Sequence, residues 1–275
     1  MRCHRGEAET LRDASSTLIA IAEAASTWPG GPGPNLSFSG AEPFHHPALF
    51  ELIDASVEAG VSRIRLESDA HAFMTAETFE RALDRGVRHL TVQLLGSNAE
   101  LHDSMTGRHG SFVKTVAGIK NFIGAALENT MRVHVTVRVP VCRHNLHDTP
   151  EIVTLAAKTG ANAVLLTIDD AGLDLRQAAP WIGAACDSGI VYATWVGVEG
   201  IPYGCANGWE LHLASMYHEV EGVKSEVCRD CPLTDVCGGA MPGASEHVIA
   251  TFAPPADAAQ VAERISRGFK PLGLG

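Results

Sequence analysis

Short apolar runs of strand length alternate with longer segments of helical period along most of the chain, and few architectures accommodate that rhythm. Runs near Asn35 to Ser39, Arg63 to Glu67, His89 to Leu95, Arg132 to Val139, Ala163 to Ile168 and Val191 to Val196 read as strands. Amphipathic segments at Pro47 to Ala59, Ala76 to Asp84, Phe112 to Leu127, Thr149 to Thr159 and Leu173 to Ser188 read as helices between them. Several carry a Pro or a capping residue at the start and Gly at the stop, as Asp148-Thr149-Pro150 and Gly160 do. Strands separated by helices pair in parallel, because a parallel neighbour needs a crossover connection. The expected class is therefore α/β with a parallel sheet.

At 275 residues the chain can bury a sizeable core and has room for one barrel-like domain plus a small appendage. Residues 9 to 26 look helical, whereas Met1 to Glu9 is short, polar and without a strand. After Val196 the pattern breaks into Gly, Pro and Cys, which places a domain boundary near residue 198. Residues 1–197 form the expected α/β domain and 198–275 a cysteine-rich module and tail. A net charge of -11, with none of the 21 Lys and Arg residues in a run, argues against nucleic acid as a partner. The chain opens on no signal peptide and has no apolar stretch of membrane-spanning length, so a reducing cytoplasm without membrane association is expected.

Seven cysteines are present, and four of them, Cys205, Cys228, Cys231 and Cys237, fall in one late segment of the chain. Thiolates two and five residues apart on a turn can converge on one metal centre, with a fourth brought from an upstream loop. Spacing alone leaves an iron–sulfur cluster and a closed tetrahedral zinc site equally open. Gly238-Gly239 beside Cys237 would let the backbone approach the sulfides of a cluster and donate amide hydrogen bonds. Ser39-Gly40-Ala41-Glu42-Pro43 ends the first strand. Small residues there allow close backbone approach to a ligand, and carbonyls with a carboxylate can accept from an ammonium group.

Together these segments resemble the radical S-adenosylmethionine (SAM) superfamily. Ser39-Gly40-Ala41-Glu42-Pro43 is similar to that family's GGEP motif, and His46-Pro47-Ala48-Leu49-Phe50 opens the helix after it. Ile64 to Ala70 resembles the end of the family's third strand, and Gly86-Val87 leads into the fourth. Leu101-His102-Asp103, Thr106-Gly107 and Gly110-Ser111-Phe112 resemble its "HD, then TG, then GSF" segment, which Val116 to Asn121 continues. Asn145 and the helix ending at Gly160 fit the stretch between the fifth and sixth strands. The resemblance covers about Cys3 to Ile168. The four late cysteines look like the auxiliary-cluster module called twitch or SPASM.

The resemblance implies a partial (β/α)6 TIM-like barrel whose strand ends surround a 4Fe-4S cluster with SAM, and a second cluster in the tail. It assigns Gly40, Ala41 and Glu42 to the methionine amino group, and Gln93, Ser97, Arg108 and Arg138 to the ribose or carboxylate. Cys3 would be the remaining ligand of the first cluster; Cys205, Cys228, Cys231 and Cys237 would hold the second. The expected activity is reductive cleavage of SAM to a 5′-deoxyadenosyl radical and hydrogen abstraction from a peptide or small molecule. A flavodoxin or ferredoxin would supply the electron. The sequence departs from the family in lacking CxxxCxxC: Cys3 stands where the last cysteine of that motif belongs, and no strand precedes it. A pseudoenzyme would lose thiols by point changes but keep the strand, since removing it unpairs a row of backbone groups. A start cut off from a longer protein is therefore favoured, with residues 1–275 inactive by themselves. The alternative is a catalytically silent binding or scaffold protein whose tail cysteines hold a structural metal.

Other residues read more simply. Cys142 and Cys186 sit among apolar neighbours and are expected as core thiols. His102 and Asp103 are expected to open a helix, with Asp103 as its cap. His45 and His46 read as turn residues, Glu67 and Asp69 as solvated carboxylates, and Trp181, Trp195 and Trp209 as packing residues.

Overall fold

The computed structural model describes residues 14–26, 33–206, 208–213, 222–240, 242–244 and 257–266. The elements run α1 (Ala14–Ser26), β1 (Asn35–Phe38), α2 (Leu49–Glu58), β2 (Arg63–Ser68), α3 (Ala76–Asp84), β3 (Val87–Gln93), α4 (Ala99–Thr106) and α5 (Ser111–Glu128). They continue β4 (His134–Val141), α6 (Thr149–Thr159), β5 (Ala163–Ile168), α7 (Leu175–Val191), β6 (Trp195–Glu199) and α8 (Ala258–Ser266). Six strands form one sheet in sequence order, β1-β2-β3-β4-β5-β6, and β1 to β4 pair in parallel throughout. Sequential parallel order is what successive right-handed crossovers produce, and it is the order of a partial barrel.

The chain divides into two compact units, residues 1–138 with 156–163, and residues 139–155 with 164–275. In the first, β2 alternates as its sequence requires: Ile64, Leu66 and Ser68 are buried while Arg63 and Arg65 are exposed. The buried side meets helices through Ile53, Leu83, Ile119 and Phe122, all essentially inaccessible, each contributing roughly 1.5–3 kcal/mol of apolar burial. Phe44, Phe73 and Phe122 form an aromatic series with ring centroids 5.0 and 5.1 Å apart. Gly118 in α5 is required by close approach: a Cβ there would stand 2.1 Å from the Ala70 carbonyl oxygen. Asn121, one turn later, donates to the Phe73 carbonyl at 3.0 Å. The segment Val116 to Asn121 thus seats α5 against the turn that follows β2.

In the second unit Val164, Leu166, Ile168, Ile182, Val196 and Val198 are buried. Gly189 lets α7 lie against β6, since a Cβ there would meet Val196 at 2.3 Å. Two expected boundaries are corrected. Val191 ends α7, and the last strand starts at Trp195, after Ala193 in left-handed backbone (φ 53°) turns the chain. His102 and Asp103 lie inside α4, whose cap is Asn98, its side chain accepting from Leu101 N–H at 3.0 Å. The expected helix at residues 9 to 26 is described only as α1; residues 9–13 lie outside the described residues.

Candidate functional site

The carboxyl ends of β1, β2 and β3, with Arg138 inside β4 opposite the end of β3, carry polar groups that the resemblance singles out, as expected where parallel strands open to a ligand. Gly40 turns the chain out of β1 with φ 96°, a value that favours Gly. Glu42 follows, only 8% exposed. Its Oε1 accepts from Ser68 Oγ at 2.8 Å and Phe44 N–H at 3.3 Å, and Oε2 accepts from Asp69 N–H at 2.8 Å. The carboxylate therefore ties the β1 turn to the end of β2. Burial, then the nearby Asp69 charge, raise its pKa above the ordinary carboxylate value despite those hydrogen bonds. A desolvated carboxylate beside a second acid is complementary to a cation, and an ammonium group fits that description.

Asp69 is not simply solvated. It accepts from His71 N–H at 2.9 Å, and its Oδ2 lies 3.4 Å from His71 Nδ1 and 3.5 Å from Arg108 NH1. His71 Nε2 is 3.2 Å from Thr115 Oγ1, which donates to the Asp69 carbonyl at 3.1 Å. Glu67 likewise has a partner, Arg138 NH1 at 3.1 Å. Gln93 stands opposite Arg138 in the β3–β4 register. Arg138 Nε is buried with no acceptor, which a ribose hydroxyl or a carboxylate would satisfy. Glu42, Arg108 and Asp69 thus belong to one network, and Gln93, Arg138 and Glu67 to a second group on neighbouring strands. Ala41 is part of the β1 turn and Ser97 lies half-buried in the β3–α4 loop.

The "HD" and "GSF" residues have structural work. His102 is 2% exposed and its Nδ1 accepts from Leu95 N–H at 3.2 Å; burial pushes its pKa down to about 4, so it is neutral. Asp103 accepts from Gly110 N–H at 2.6 Å, Phe112 N–H at 2.8 Å and Ser111 Oγ at 2.9 Å. It caps α5, the following helix, which is why its pKa falls, the Phe112 amide being the largest cause. His46 Nδ1 accepts from Ala48 N–H at 3.1 Å, as a turn residue should. A cavity of about 270 Å³ beside it is lined by Phe44, His46, Pro47, Leu49, Phe50, Glu51 and Arg81, none of them an expected cofactor contact.

In the second unit Cys205 is buried, and burial pushes its thiol up to about 11. Cys237 is raised by the same cause, and its sulfur receives the Gly239 N–H at 3.4 Å and the Tyr203 amide. Gly239 adopts φ 71°, and a Cβ there would meet the Val223 carbonyl at 2.5 Å. Cys205 feels the charge of Cys237, and Cys237 that of Cys228; Cys231 follows Cys228 in a turn closed by its N–H to the Cys228 carbonyl at 3.2 Å. Amides aimed at a thiol amid other thiols fit a metal-bound sulfur. Among the described residues, though, no three His, Cys, Asp or Glu side chains converge closely enough to hold an ion. Cys3 lies outside the described residues. Cys142 and Cys186 are 1% exposed core thiols as expected, burial pushing Cys186 to about 12. Trp209 is buried, and Trp181 is 38% exposed with its ring packed edge-on against His147 at 4.5 Å.

The fold and these strand ends define an α/β partial-barrel protein with its polar groups at one sheet end. No family model matches the sequence. A curated relative, the AdoMet-dependent heme synthase of Methanosarcina barkeri, is 33% identical over 130 residues, 47% of this chain and 35% of that protein. The PqqA peptide cyclase of Ruegeria pomeroyi is 29% identical over 126 residues, 46% of this chain and 32% of that protein. Matched segments thus span about a third of these relatives' length. Streptococcus suis SuiB bound to S-adenosylmethionine shares the fold with TM-score 0.56 at 14% identity, over 78% of this chain and 50% of that one. These likenesses, to S-adenosylmethionine-dependent relatives in sequence and to SuiB in fold, support the superfamily that the sequence resembles, radical SAM.

Sequence reasoning missed the Ser68–Asp69–His71–Thr115 network and a basic row lower on the same sheet. Alternation in Arg63-Ile64-Arg65-Leu66-Glu67 held the signal for the second.

Proposed function

We propose that the intact protein is a radical SAM enzyme whose substrate meets SAM at the carboxyl ends of β1 to β4. The carrying observation is Glu42: a buried carboxylate, locked by Ser68 and Asp69 and raised in pKa, with room on Oε2 for one further donor. The Gly40 and Ala41 carbonyls and Glu42 receive the methionine ammonium. Arg138, through its unpaired Nε, together with Gln93, Ser97 and Arg108, receives the ribose and carboxylate. A 4Fe-4S cluster with SAM supplies, when reduced by a flavodoxin or ferredoxin, a 5′-deoxyadenosyl radical for hydrogen abstraction.

Residues 1–197 form the barrel part and 198–275 a twitch/SPASM-like module, in which Cys205, Cys228, Cys231 and Cys237 hold an auxiliary 4Fe-4S cluster. Cys3 is the ligand contributed to the first cluster. The amides of Tyr203 and Gly239 at Cys237 support the tail assignment, since such donors stabilise a thiolate. Free thiols among the described cysteines suit a reducing cytoplasm, and no described helix is long and apolar enough to cross a membrane. One relative is named for heme and another for a peptide, and both substrate classes are carried forward.

The test is anaerobic: the full-length protein is reconstituted with iron and sulfide, then given SAM and dithionite. 5′-Deoxyadenosine is expected, falling at least about tenfold in Glu42→Gln as one charge-assisted contact is lost. Product formation unchanged in Glu42→Gln contradicts the assignment.

A further inference from the structure

Below the strand-end site, the same sheet face of the first unit carries a second constellation. The β1–β2–β3–β4 register aligns Ser37 with Arg65, Arg65 with His89, and His89 with His134. The His89 and His134 rings are 5.8 Å apart, and Arg63 lies two residues before Arg65 on the same face. Arg63 and Arg65 are exposed and the two histidines half-buried, so the row is accessible among the described residues. Neither arginine has an ion-pair partner among the described residues, whereas higher on the same face Arg138 has Glu67. The row sits four residues before Gln93 and Arg138, about 13 Å at the rise of a parallel strand.

The arrangement has a cost that a ligand would offset. Burial lowers the pKa of both histidines, and the charges of Arg65 and Arg63, together with His134, lower His89 further; Arg65 also lowers His134. Two guanidinium groups crowd imidazoles on one face with no compensating carboxylate at that level. Structural use alone favours aliphatic residues at such interior-facing positions. Guanidinium forks and imidazole N–H groups are the donors that recognise carboxylate and phosphate oxygens.

We infer that the Arg65–His89–His134 row, with Arg63, binds the oxyanion group, carboxylate or phosphate, of a small molecule. Its assignment as the substrate's anionic group rests on the radical SAM reading; the binding itself does not. A carboxylate held there places the remainder of the substrate up the sheet face toward Thr91, Thr136 and the Arg138 level.

The experiment is calorimetric titration of the full chain with citrate and, separately, pyrophosphate, at constant ionic strength and at pH 6 and pH 8. Saturable binding to one site is expected, tighter at pH 6, where an anion draws protons onto His89 and His134. Tighter citrate binding assigns a carboxylate ligand and tighter pyrophosphate a phosphate ligand, either result supporting the site. Arg65→Ala should weaken binding at least about tenfold and Arg65→Lys less, because a point charge survives. His89→Gln with His134→Gln should remove the pH dependence. Circular dichroism verifies that each variant is folded, which the exposure of Arg65 favours. Absence of saturable binding at millimolar anion, or equal affinity in wild type and Arg65→Ala, overturns the inference. SAM binding, read on the anaerobically reconstituted full-length protein, separates the two claims: anion binding without SAM binding sinks only the radical reading, and the converse sinks only the row.

Discussion

The two ends of one sheet face are built on opposite plans. At the carboxyl end three acids, Glu42, Glu67 and Asp69, are each held by hydrogen bonds or ion pairs from this chain, and the geometry is set before any ligand arrives. Two residues and more below Glu67 on β2, and four below Gln93 and Arg138, the basic side chains of Arg63, Arg65, His89 and His134 have no acidic partner at their own level. The contrast teaches that polar groups in the first place act as scaffold as well as site. In the second they add little to the fold and are free to serve recognition.

That difference can be broken most forcefully by acid. His102 binds its proton only near pH 4 when folded, while the unfolded chain takes one up near 6.5. Its folded pKa is depressed, so stability is lost as pH falls from about 6.5 toward 4, by an amount on the order of 3 kcal/mol. Urea unfolding from pH 7 to 4 should show that slope. His102→Asn, which keeps an acceptor for Leu95 N–H, should flatten it; an unchanged slope would remove His102 from the scaffold.

A smaller effect sharpens the comparison directly. Ser68→Ala strips Glu42 of a donor and leaves Ala70 N–H, which donates to Ser68 Oγ at 2.9 Å, without its acceptor. A loss of about 1–3 kcal/mol is expected in urea unfolding. Arg65→Ala should stay within about 0.5 kcal/mol of wild type, as a surface change away from structural contacts does. Equal costs for the two would mean that the ends do not differ.

Much of this was legible in the sequence because period and punctuation carry it. Alternation in β2 and the apolar stripe of α3 located both elements, Ala76 to Asp84 to the residue. Gly238-Gly239 beside Cys237 marked a close backbone approach, and in the structure the Gly239 N–H lies on the Cys237 thiol itself. What escaped depends on tertiary placement. Asp103 caps the next helix and not its own, because Gly107 and Gly110, both at positive φ, fold the loop back onto α4. Tyr192 and Ala193 are apolar enough to read as strand, yet α7 runs through Val191 before the turn. The basic row needed the register of three strand pairs, which no local pattern contains.

The most direct measurement is saturation-transfer NMR of SAM with the anaerobic, reconstituted protein, comparing wild type with Glu42→Gln and Arg65→Ala. The account predicts transfer to the methionine protons in wild type and Arg65→Ala, and its loss in Glu42→Gln. Transfer retained in Glu42→Gln, or absent from wild type, would contradict a SAM site at the end of β1.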